Sequence, residues 1–473
     1  MVPIMLKLNK NDKEPVYLQI YRQLKEQIIA GELSTDERLP ATRALCQEYH
    51  LSRNTVLNAY QQLESEGFIR SKIGSGYYVE AIPEYSRPET KTAPFFFPHE
   101  TDPAYAYDFR YGALEPNLYK SAGFRKALRE AVNELQKKDN LYNEEPSGLL
   151  SLRQAIAVSL LETRDMHVSP SQILITGGHH YSISLLQKIL PSSVRTLFME
   201  EPGHDDSVAT FYQAGYEIVP IRVDDNGMMT DKLPAGKTGI AYVTPSHQFP
   251  LGAILPIARR LQLLKWADGC SGYIIEDDYD AHLRYKEQPI PSLYSLDRNG
   301  CVIYLGSFSK SLSPDLRISY IVLPASLHLS KDKDLISSPA STLIQLSIER
   351  YISLGFYKTR IAKIRNLLRK KHNRIVSFFH EHYGERIRIF GIGGGTHFVL
   401  SLPVRMKQDE LLSFFRSEGI GVWPIEPYYL QKDEVPEGCI LIGYGGIPSE
   451  KLDEYLDALK NVIDKLNRVG GTN

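Results

Sequence analysis

The chain has 473 residues, too many for one ordinary hydrophobic core, so two or three domains are expected. Hydrophobic residues make up 42% and charged residues 23%, a globular balance rather than a disordered one, and 55 lysines and arginines against 56 aspartates and glutamates exclude a polycationic binder. Cys46, Cys270, Cys301 and Cys439 lie far apart with no C-x-x-C pair, which excludes a disulfide scaffold and a cysteine-rich zinc module and points to a reducing compartment. No apolar run approaches the ~20 residues of a membrane helix, and the short apolar start gives way to Asn9, Lys10, Asp12 and Lys13 too soon for a signal peptide. A soluble cytoplasmic protein with no membrane partner and no metal centre is expected.

Tyr17, Ile20, Tyr21, Leu24 and Ile28 recur at three- and four-residue spacing and predict one face of a helix ending near Gly31. A second short helix fits residues 41–49, and a tight turn follows at His50 and Leu51. Ser52 then caps a third helix, whose inner face is Val56, Ala59, Tyr60 and Leu63 and which stops at Gly67. Residues 68–70 and 77–79 read as two short strands joined by a turn containing Gly74, Ser75 and Gly76. Helix, helix–turn–helix and hairpin is the order of a winged helix-turn-helix.

The chemistry agrees. The third helix opens with Ser52, Arg53, Asn54 and Thr55, four side chains able to donate to phosphates or read base edges in a major groove, and the hairpin tip offers Lys72 and Ser75 to the backbone of double-stranded DNA. A small helical interaction domain is the alternative, disfavoured because the polar cluster sits at the one helix end that enters a groove. Over residues 1–80, ten Lys and Arg are balanced by ten Asp and Glu. One copy therefore binds weakly and with strong salt dependence, and two copies at fixed spacing are needed. The segment resembles the GntR family of bacterial winged-helix repressors in Gly31-Glu32-Leu33, Leu39-Pro40-Ala41-Thr42-Arg43, Leu51-Ser52-Arg53-Asn54-Thr55-Val56 and Leu63-Glu64-Ser65-Glu66-Gly67. The resemblance implies that Arg43, Arg53, Asn54 and Thr55 contact DNA. Leu57 departs from it, standing where some members carry arginine.

Residues 81–107 hold Pro83, Pro88, Pro94, Pro98 and Pro103 and lose helical periodicity, which predicts a semi-rigid extended linker, with Phe95, Phe96 and Phe97 as a loop anchor on a neighbouring domain. The expected division is a DNA-binding domain over residues 1–80, this linker, and a large domain over residues 108–473.

In the large domain, apolar runs at residues 172–176, 196–199, 239–243, 273–275 and 302–305 alternate with helical patterns. Strands without polar alternation are buried on both faces, so an α/β fold with a mainly parallel sheet is expected. Ligands collect at the carboxyl ends of such strands. There Gly177, Gly178 and His179 lead into a helix over residues 182–190, a ready anion site. Glu276-Asp277-Asp278-Tyr279, Ser307-Phe308-Ser309-Lys310 and Thr244-Pro245-Ser246-His247-Gln248 end three other strands, and Arg317 follows. A phosphate cradle, a carboxylate, a lysine and an arginine are what a phosphorylated pyridine aldehyde requires.

Taken singly, each piece has a plainer explanation: Lys310 as a surface lysine, Asp277 and Asp278 as a strand end, His179 and His180 as a pair lacking a third metal ligand. Gly391 to Gly395 misses the dinucleotide fingerprint, because Thr396 occupies the sixth position. Ser307-x-x-Lys310 with Lys237-Thr238-Gly239 also occurs in penicillin-recognising enzymes, but their Ser-Asp-Asn element is missing and the order is reversed.

The ordered set resembles the fold-type I aminotransferases. With the N-terminal domain, the chain resembles the MocR/GabR branch of GntR regulators, in which an aminotransferase-like domain senses an effector. The matching residues include Pro202-Gly203, Pro245-Ser246-His247-Gln248-Phe249-Pro250, Glu276-Asp277-Asp278-Tyr279 and Ser307-Phe308-Ser309-Lys310-Ser311. The resemblance implies pyridoxal 5'-phosphate as cofactor, with Lys310 as the Schiff-base lysine, Asp277 on the pyridine nitrogen and Tyr279 on the phenolic oxygen. Gly178, His179, Ser307, Ser309 and Arg317 would hold the phosphate, His204 would stack on the ring, and His247 would complete the cofactor set. It also implies a bacterial head-to-tail homodimer with exchanged DNA-binding domains.

Aminotransferases grip the substrate carboxylate with arginine. Here glycines occupy the late small-domain stretch, residues 440–447, Asp205 and Asp206 follow Pro202-Gly203, and Glu426-Pro427-Tyr428-Tyr429 fills the later region. Bidentate recognition of a carboxylate is thus missing from the three expected places; Arg405 or Arg416 would have to replace it. A regulator whose effector is pyridoxal phosphate itself, as in the PdxR-type members of the branch, is the preferred expectation. The alternative is a regulator sensing an amine or amino acid, or an active aminotransferase.

Overall fold

The computed structural model describes residues 5–10, 12, 14–81, 105–115, 117–137, 145–280, 282–285, 291–327 and 340–470. The chain divides into two compact units, Met1–Asp102 and Pro103–Asn473. Residues 82–104, with most of the proline-rich segment and its three phenylalanines, lie outside the described residues.

The first unit contains helices Val16–Ile29, Thr42–Glu48 and Arg53–Ser65, followed by the antiparallel strands Ile69–Lys72 and Gly76–Val79. Ile20, Leu24 and Ile28 form the buried face of the first helix, with Tyr17 and Tyr21 at its rim. Gln19 joins them unforeseen, because its side chain bonds the backbone of Asn9 and Glu14 and ties the leading segment to the helix. The third helix is capped by Ser52, whose Oγ accepts the Thr55 N–H, and it buries Val56, Ala59, Tyr60 and Leu63. Gly67 ends it in the left-handed region at φ +77, where a β-carbon is disfavoured.

An eight-stranded sheet organises the second unit. Its order is Ile173–Thr176, Ser319–Val322, Val302–Ser307, Tyr273–Asp278, Ile240–Val243, Thr196–Glu201, Glu217–Asp224, Gly227–Met228. The five strands from Val302–Ser307 to Glu217–Asp224 are parallel; Ser319–Val322 runs antiparallel to both neighbours. Three strands of this sheet went unread in the sequence, one of them the two-residue Gly227–Met228. Glu217–Asp224 carries Pro220 and partly exposed residues, which disguise it, and Ser319–Val322 follows Arg317 at φ +48 with almost no connecting chain. The helix after the first strand begins at His179 rather than at residue 182, so its free amide end lies against the strand end. A smaller antiparallel sheet, Arg388–Phe390, His397–Ser401 and Cys439–Gly443, shares a core with the helices Phe356–Tyr383 and Leu452–Gly470. The glycine run 391–395 forms the loop before His397, as expected. No described helix is long and apolar enough to cross a membrane.

One buried ion pair anchors the central strand. Arg164, the last residue of the helix Leu150–Arg164, donates to Asp278 Oδ2 at 2.6 Å and to Ser246 Oγ at 2.6 Å, while the Tyr304 hydroxyl donates to the same carboxylate at 2.7 Å. Both charged side chains are at most 1% exposed. Removing one partner of such a pair strands the other charge without water. Arg164→Ala is therefore expected to destabilise the large unit by about 3–5 kcal/mol, measurable as a lower denaturation midpoint in urea.

Candidate functional site

The carboxyl ends of the parallel strands bring the expected side chains together. Asp277, next to last in the central strand, is buried, and its Oδ2 accepts a 2.6 Å hydrogen bond from Tyr242 on the neighbouring strand. The Tyr242 oxygen lies 3.2 Å from His179 Nε2 and accepts from Ser207 Oγ at 3.1 Å; Ser207 in turn lies 3.0 Å from His179 Nε2 and 3.3 Å from His204 Nδ1. His179 and His204 face each other with ring centres 4.9 Å apart. Burial lowers the pKa of both imidazoles, that of His179 to about 4, so they stand neutral near pH 7. Burial also raises Asp277 to about 6, against the opposing pull of His204 and the Tyr242 hydrogen bond. Asp277 is thus a carboxylate at pH 7 that readily shares a proton.

Lys310 lies beyond the next strand end. Its Nζ sits 3.7 Å from the ring centre of Tyr111, a cation–π contact that the sequence did not announce. Burial lowers the Lys310 pKa to about 8, partly offset by the Asp280 carboxylate. His247 Nδ1 lies 2.9 Å from the Tyr279 hydroxyl and 2.7 Å from Asp280 Oδ2. A β-carbon on Gly252 would come within 2.9 Å of His247 Nε2, and one on Gly395 would collide with the same ring, so these two glycines make room for the imidazole. Asp280, Tyr111, Tyr242 and Ser207 were missed in the sequence. Tyr242 sits inside an apolar run and Tyr111 far upstream, so only the folded sheet connects them with the rest.

The third cluster has the chemistry of an anion cradle. Gly178 caps the helix His179–Ile189 at φ +105, and a β-carbon there would lie 3.0 Å from the Arg317 guanidinium. Ser307 Oγ accepts the Ser309 N–H at 3.1 Å and a bond from Ser319 Oγ at 3.4 Å. Thr176, Ser319 and Ser307 are paired in register across three adjacent strands, which places the helix end, the serines and Arg317 at one edge.

At the expected carboxylate-binding places stand other groups. Asp205 and Asp206 open the helix Asp205–Gln213; Glu201 accepts the Leu430 and Gln431 N–H groups; Phe249 and Tyr428 meet edge-to-face at 4.8 Å. Arg405 and Arg416 are exposed.

In the first unit, Arg43, Ser52, Arg53 and Asn54 are exposed and Thr55 half-buried. The Ser52 and Thr55 hydroxyls bond each other at 2.7 Å, so their first task is to start the helix. At the wing, Lys72 is exposed over the Tyr78 ring, and Ser75 Oγ bonds the Tyr78 hydroxyl at 2.5 Å. The Arg38 guanidinium reaches the same wing, 3.4 Å from where a Gly76 β-carbon would stand, and Ile73 is fully exposed at the tip; neither was singled out in the sequence.

A winged helix-turn-helix unit and a large α/β unit with a desolvated lysine and a buried aspartate at neighbouring strand ends define a class: DNA-binding regulators built on an aminotransferase-like scaffold. Comparison with known proteins agrees. The profile of the bacterial regulatory proteins of the gntR family matches residues 16–79. The HTH-type transcriptional regulator YhdI of Bacillus subtilis is 34% identical, with 96% of this chain and 97% of that protein aligned. The probable rhizopine catabolism regulatory protein MocR of Rhizobium meliloti is 28% identical over 98% and 97%, and the pyridoxine biosynthesis regulator PdxR of Corynebacterium glutamicum 27% over 98% and 99%. Among solved structures, the multiple substrate aminotransferase of Thermococcus profundus superposes with TM-score 0.68 at 23% identity, covering 77% of this chain and 92% of that one. The chain belongs to the MocR branch of the GntR transcriptional regulators, and it binds DNA through its helix-turn-helix domain.

The lowered pKa of Lys310 has a direct consequence. Only the neutral amine attacks a carbonyl, so the apparent affinity for a small aromatic aldehyde such as salicylaldehyde should rise about tenfold per pH unit below 8 and level off above it. An absorbance titration reads this directly, and Lys310→Met should abolish the signal.

Proposed function

We propose that the large domain, residues 108–473, holds pyridoxal 5'-phosphate and that this molecule is itself the effector of a regulator acting through residues 1–80, with residues 81–107 as linker. The observation that carries the reading is a desolvated lysine amine and a buried aspartate at the ends of neighbouring parallel strands, beside an anion cradle, in a site with no arginine at the three carboxylate positions. The residues suit the group in each part. Gly178, His179, Ser307, Ser309 and Arg317 supply amide, hydroxyl and guanidinium donors for a phosphate. Asp277 offers a carboxylate to a pyridine nitrogen, and its Tyr242 bond fixes that carboxylate in place. Tyr279, joined to His247, would bond the phenolic oxygen, and His204 would stack on the ring.

When bound, the cofactor supplies an aldehyde carbon for an amine to capture. The protein does the rest: burial keeps a share of Lys310 neutral near pH 7, His179 and His204 stay uncharged, and Tyr111 covers the amine. Asp205 and Asp206 disfavour a second, acidic ligand. The relatives include a regulator named for pyridoxine biosynthesis, which favours target genes in the same pathway. A homodimer is part of the proposal, since the balanced charge of residues 1–80 calls for two DNA-binding domains acting together. Capture at Lys310 then changes which dimers bind DNA, provided the two states differ in affinity for the cofactor.

The test is the affinity of cofactor-free protein for DNA upstream of its own gene, with and without pyridoxal phosphate and with no amine present. The cofactor alone should change the affinity or the footprint, and Lys310→Ala should remove the change. A protein that binds the cofactor yet leaves DNA binding untouched would require an amine effector or an enzymatic role instead. Asp277→Asn should weaken cofactor binding about 10- to 100-fold, the worth of one charge-assisted hydrogen bond, as read by absorbance titration.

A further inference from the structure

The positive charge missing from the helix-turn-helix domain reappears elsewhere. The 28-residue helix Phe356–Tyr383 carries eight lysines and arginines against one acid, Glu381, in a chain whose totals otherwise nearly cancel. Arg360 and Lys371 are buried and have structural partners: Arg360 donates to the carbonyls of Ser311 and Leu312, and Lys371 pairs with Glu115. Arg374 pairs with Asp453. The remaining five, Lys358, Lys363, Arg365, Arg369 and Lys370, are exposed. Of these only Lys358 has an acidic neighbour among the described residues, a loose 3.8 Å approach to Glu162 with both side chains largely in water.

Helical geometry sorts the five cations into two rows. At about 100° per residue, Lys358, Arg365 and Arg369 fall on one side of the exposed face and Lys363 and Lys370 on the other. Between them run Thr359, Ala362, Asn366 and Asn373, small or neutral and all exposed. Each row borders a depression. Lys358 and Arg365 line one of about 620 Å³ together with Arg284; Lys363 lines another of about 370 Å³ with Lys120. The helix is therefore a ridge with cations on both flanks and no exposed acid until its last turn.

A stability role does not account for this face. Like charges three to seven residues apart on one helix repel rather than stabilise, and among the described residues no acid pairs with Lys363, Arg365, Arg369 or Lys370. An unpaired row of Lys and Arg fits a polyanion with regularly spaced charges. In a protein that binds DNA through a domain with no cationic excess, the polyanion at hand is DNA. We propose that the exposed face of the helix Phe356–Tyr383, through Lys363, Arg365, Arg369 and Lys370, is a second, sequence-independent contact surface for the phosphate backbone of duplex DNA. It supplies the electrostatic part of the affinity that the helix-turn-helix domain lacks, while Arg43, Arg53 and Asn54 remain responsible for sequence.

The test uses the full-length protein and the triple variant Lys363→Glu, Arg369→Glu, Lys370→Glu. Binding to the upstream DNA of its own gene and to a random duplex of ~40 base pairs is measured across a salt series. Each lost phosphate contact should make the slope of log affinity against log salt shallower by about 0.9, so the variant should lose about 2–3 in slope and roughly 10- to 100-fold in affinity, by similar factors on both duplexes. Lys188→Glu, Lys232→Glu, Lys265→Glu is the control for net charge, since the three residues are exposed and lie on other helices of the large unit. It should leave the slope within experimental error. Absorbance titration at Lys310 on the triple variant reports an intact large domain, and it separates this inference from the cofactor reading, which it does not need. A triple variant with the slope of the control overturns the proposal. So does a change in its molecular mass by light scattering, which would make the face a contact between copies of this chain.

Discussion

Three consecutive buried carboxylates, Glu276, Asp277 and Asp278, set the terms for the large unit. Each is at most 3% exposed, and no ordinary surface strand tolerates them. The two-residue period of a strand separates their duties. Glu276 and Asp278 point to one side: Glu276 accepts the Leu293 and Tyr294 N–H groups at the start of a short helix, and Asp278 takes Arg164 and Tyr304. Asp277, facing the other way, receives among the described residues the Tyr242 hydroxyl and a weak histidine contact, and its Oδ1 has no hydrogen-bond partner there. Stability is thus built on one face of the strand and chemistry on the other. The first makes the second affordable, because the strand cannot rotate to bring Asp277 into water without releasing Arg164.

Desolvation ties the remaining groups to that carboxylate. It raises Asp277 and lowers Lys310, so the charges of acid and base are both weakened where they stand. A ligand that offers a basic ring nitrogen to the first and an electrophilic carbon to the second relieves both costs at once. Around this pair the wall is aromatic, from Tyr111, Phe249, Tyr279 and Tyr428, and the charged residues nearest the cis Glu201–Pro202 turn are acidic. Such a lining is flat and aromatic, which suits the planar ring proposed for the site.

Much of this was legible in the sequence, and what was not has a common cause. Periodicity alone yields the three helices and the wing of the first unit, because each buries a local stripe and Ser52 and Gly67 mark the ends of the recognition helix. The chemistry-bearing residues at the strand ends are legible for the same reason, since an apolar run followed by polar residues is a local signal. Asp277 as the working carboxylate came from family likeness, because three acids in a row look alike until Arg164, 114 positions upstream, claims one of them. Tyr111, Tyr242 and Asp280 were invisible because their partners lie on other strands. Pro220 hid a strand, since a proline can be accepted where its missing N–H faces no neighbour.

Charge distribution completes the picture, since a near-neutral total says little about a regulator. Residues 1–80 balance ten cations with ten anions, and several of those anions are engaged within the unit: Glu66 binds Lys25 and Tyr21, and Arg70 pairs with Asp36 and Glu80. Such pairing withdraws Lys25 and Arg70 from any phosphate and leaves Arg38, Arg43, Arg53 and Lys72 exposed without an ion pair among the described residues. A domain so equipped discriminates sequence better than it holds on, because base contacts add specificity while phosphate contacts add most of the affinity. Weak intrinsic grip suits a switch. On the proposed reading, a modest change in how two copies are presented, or in a second electrostatic surface, would move occupancy across its half-saturation point, and a few kcal/mol from a ligand at Lys310 would suffice to decide it.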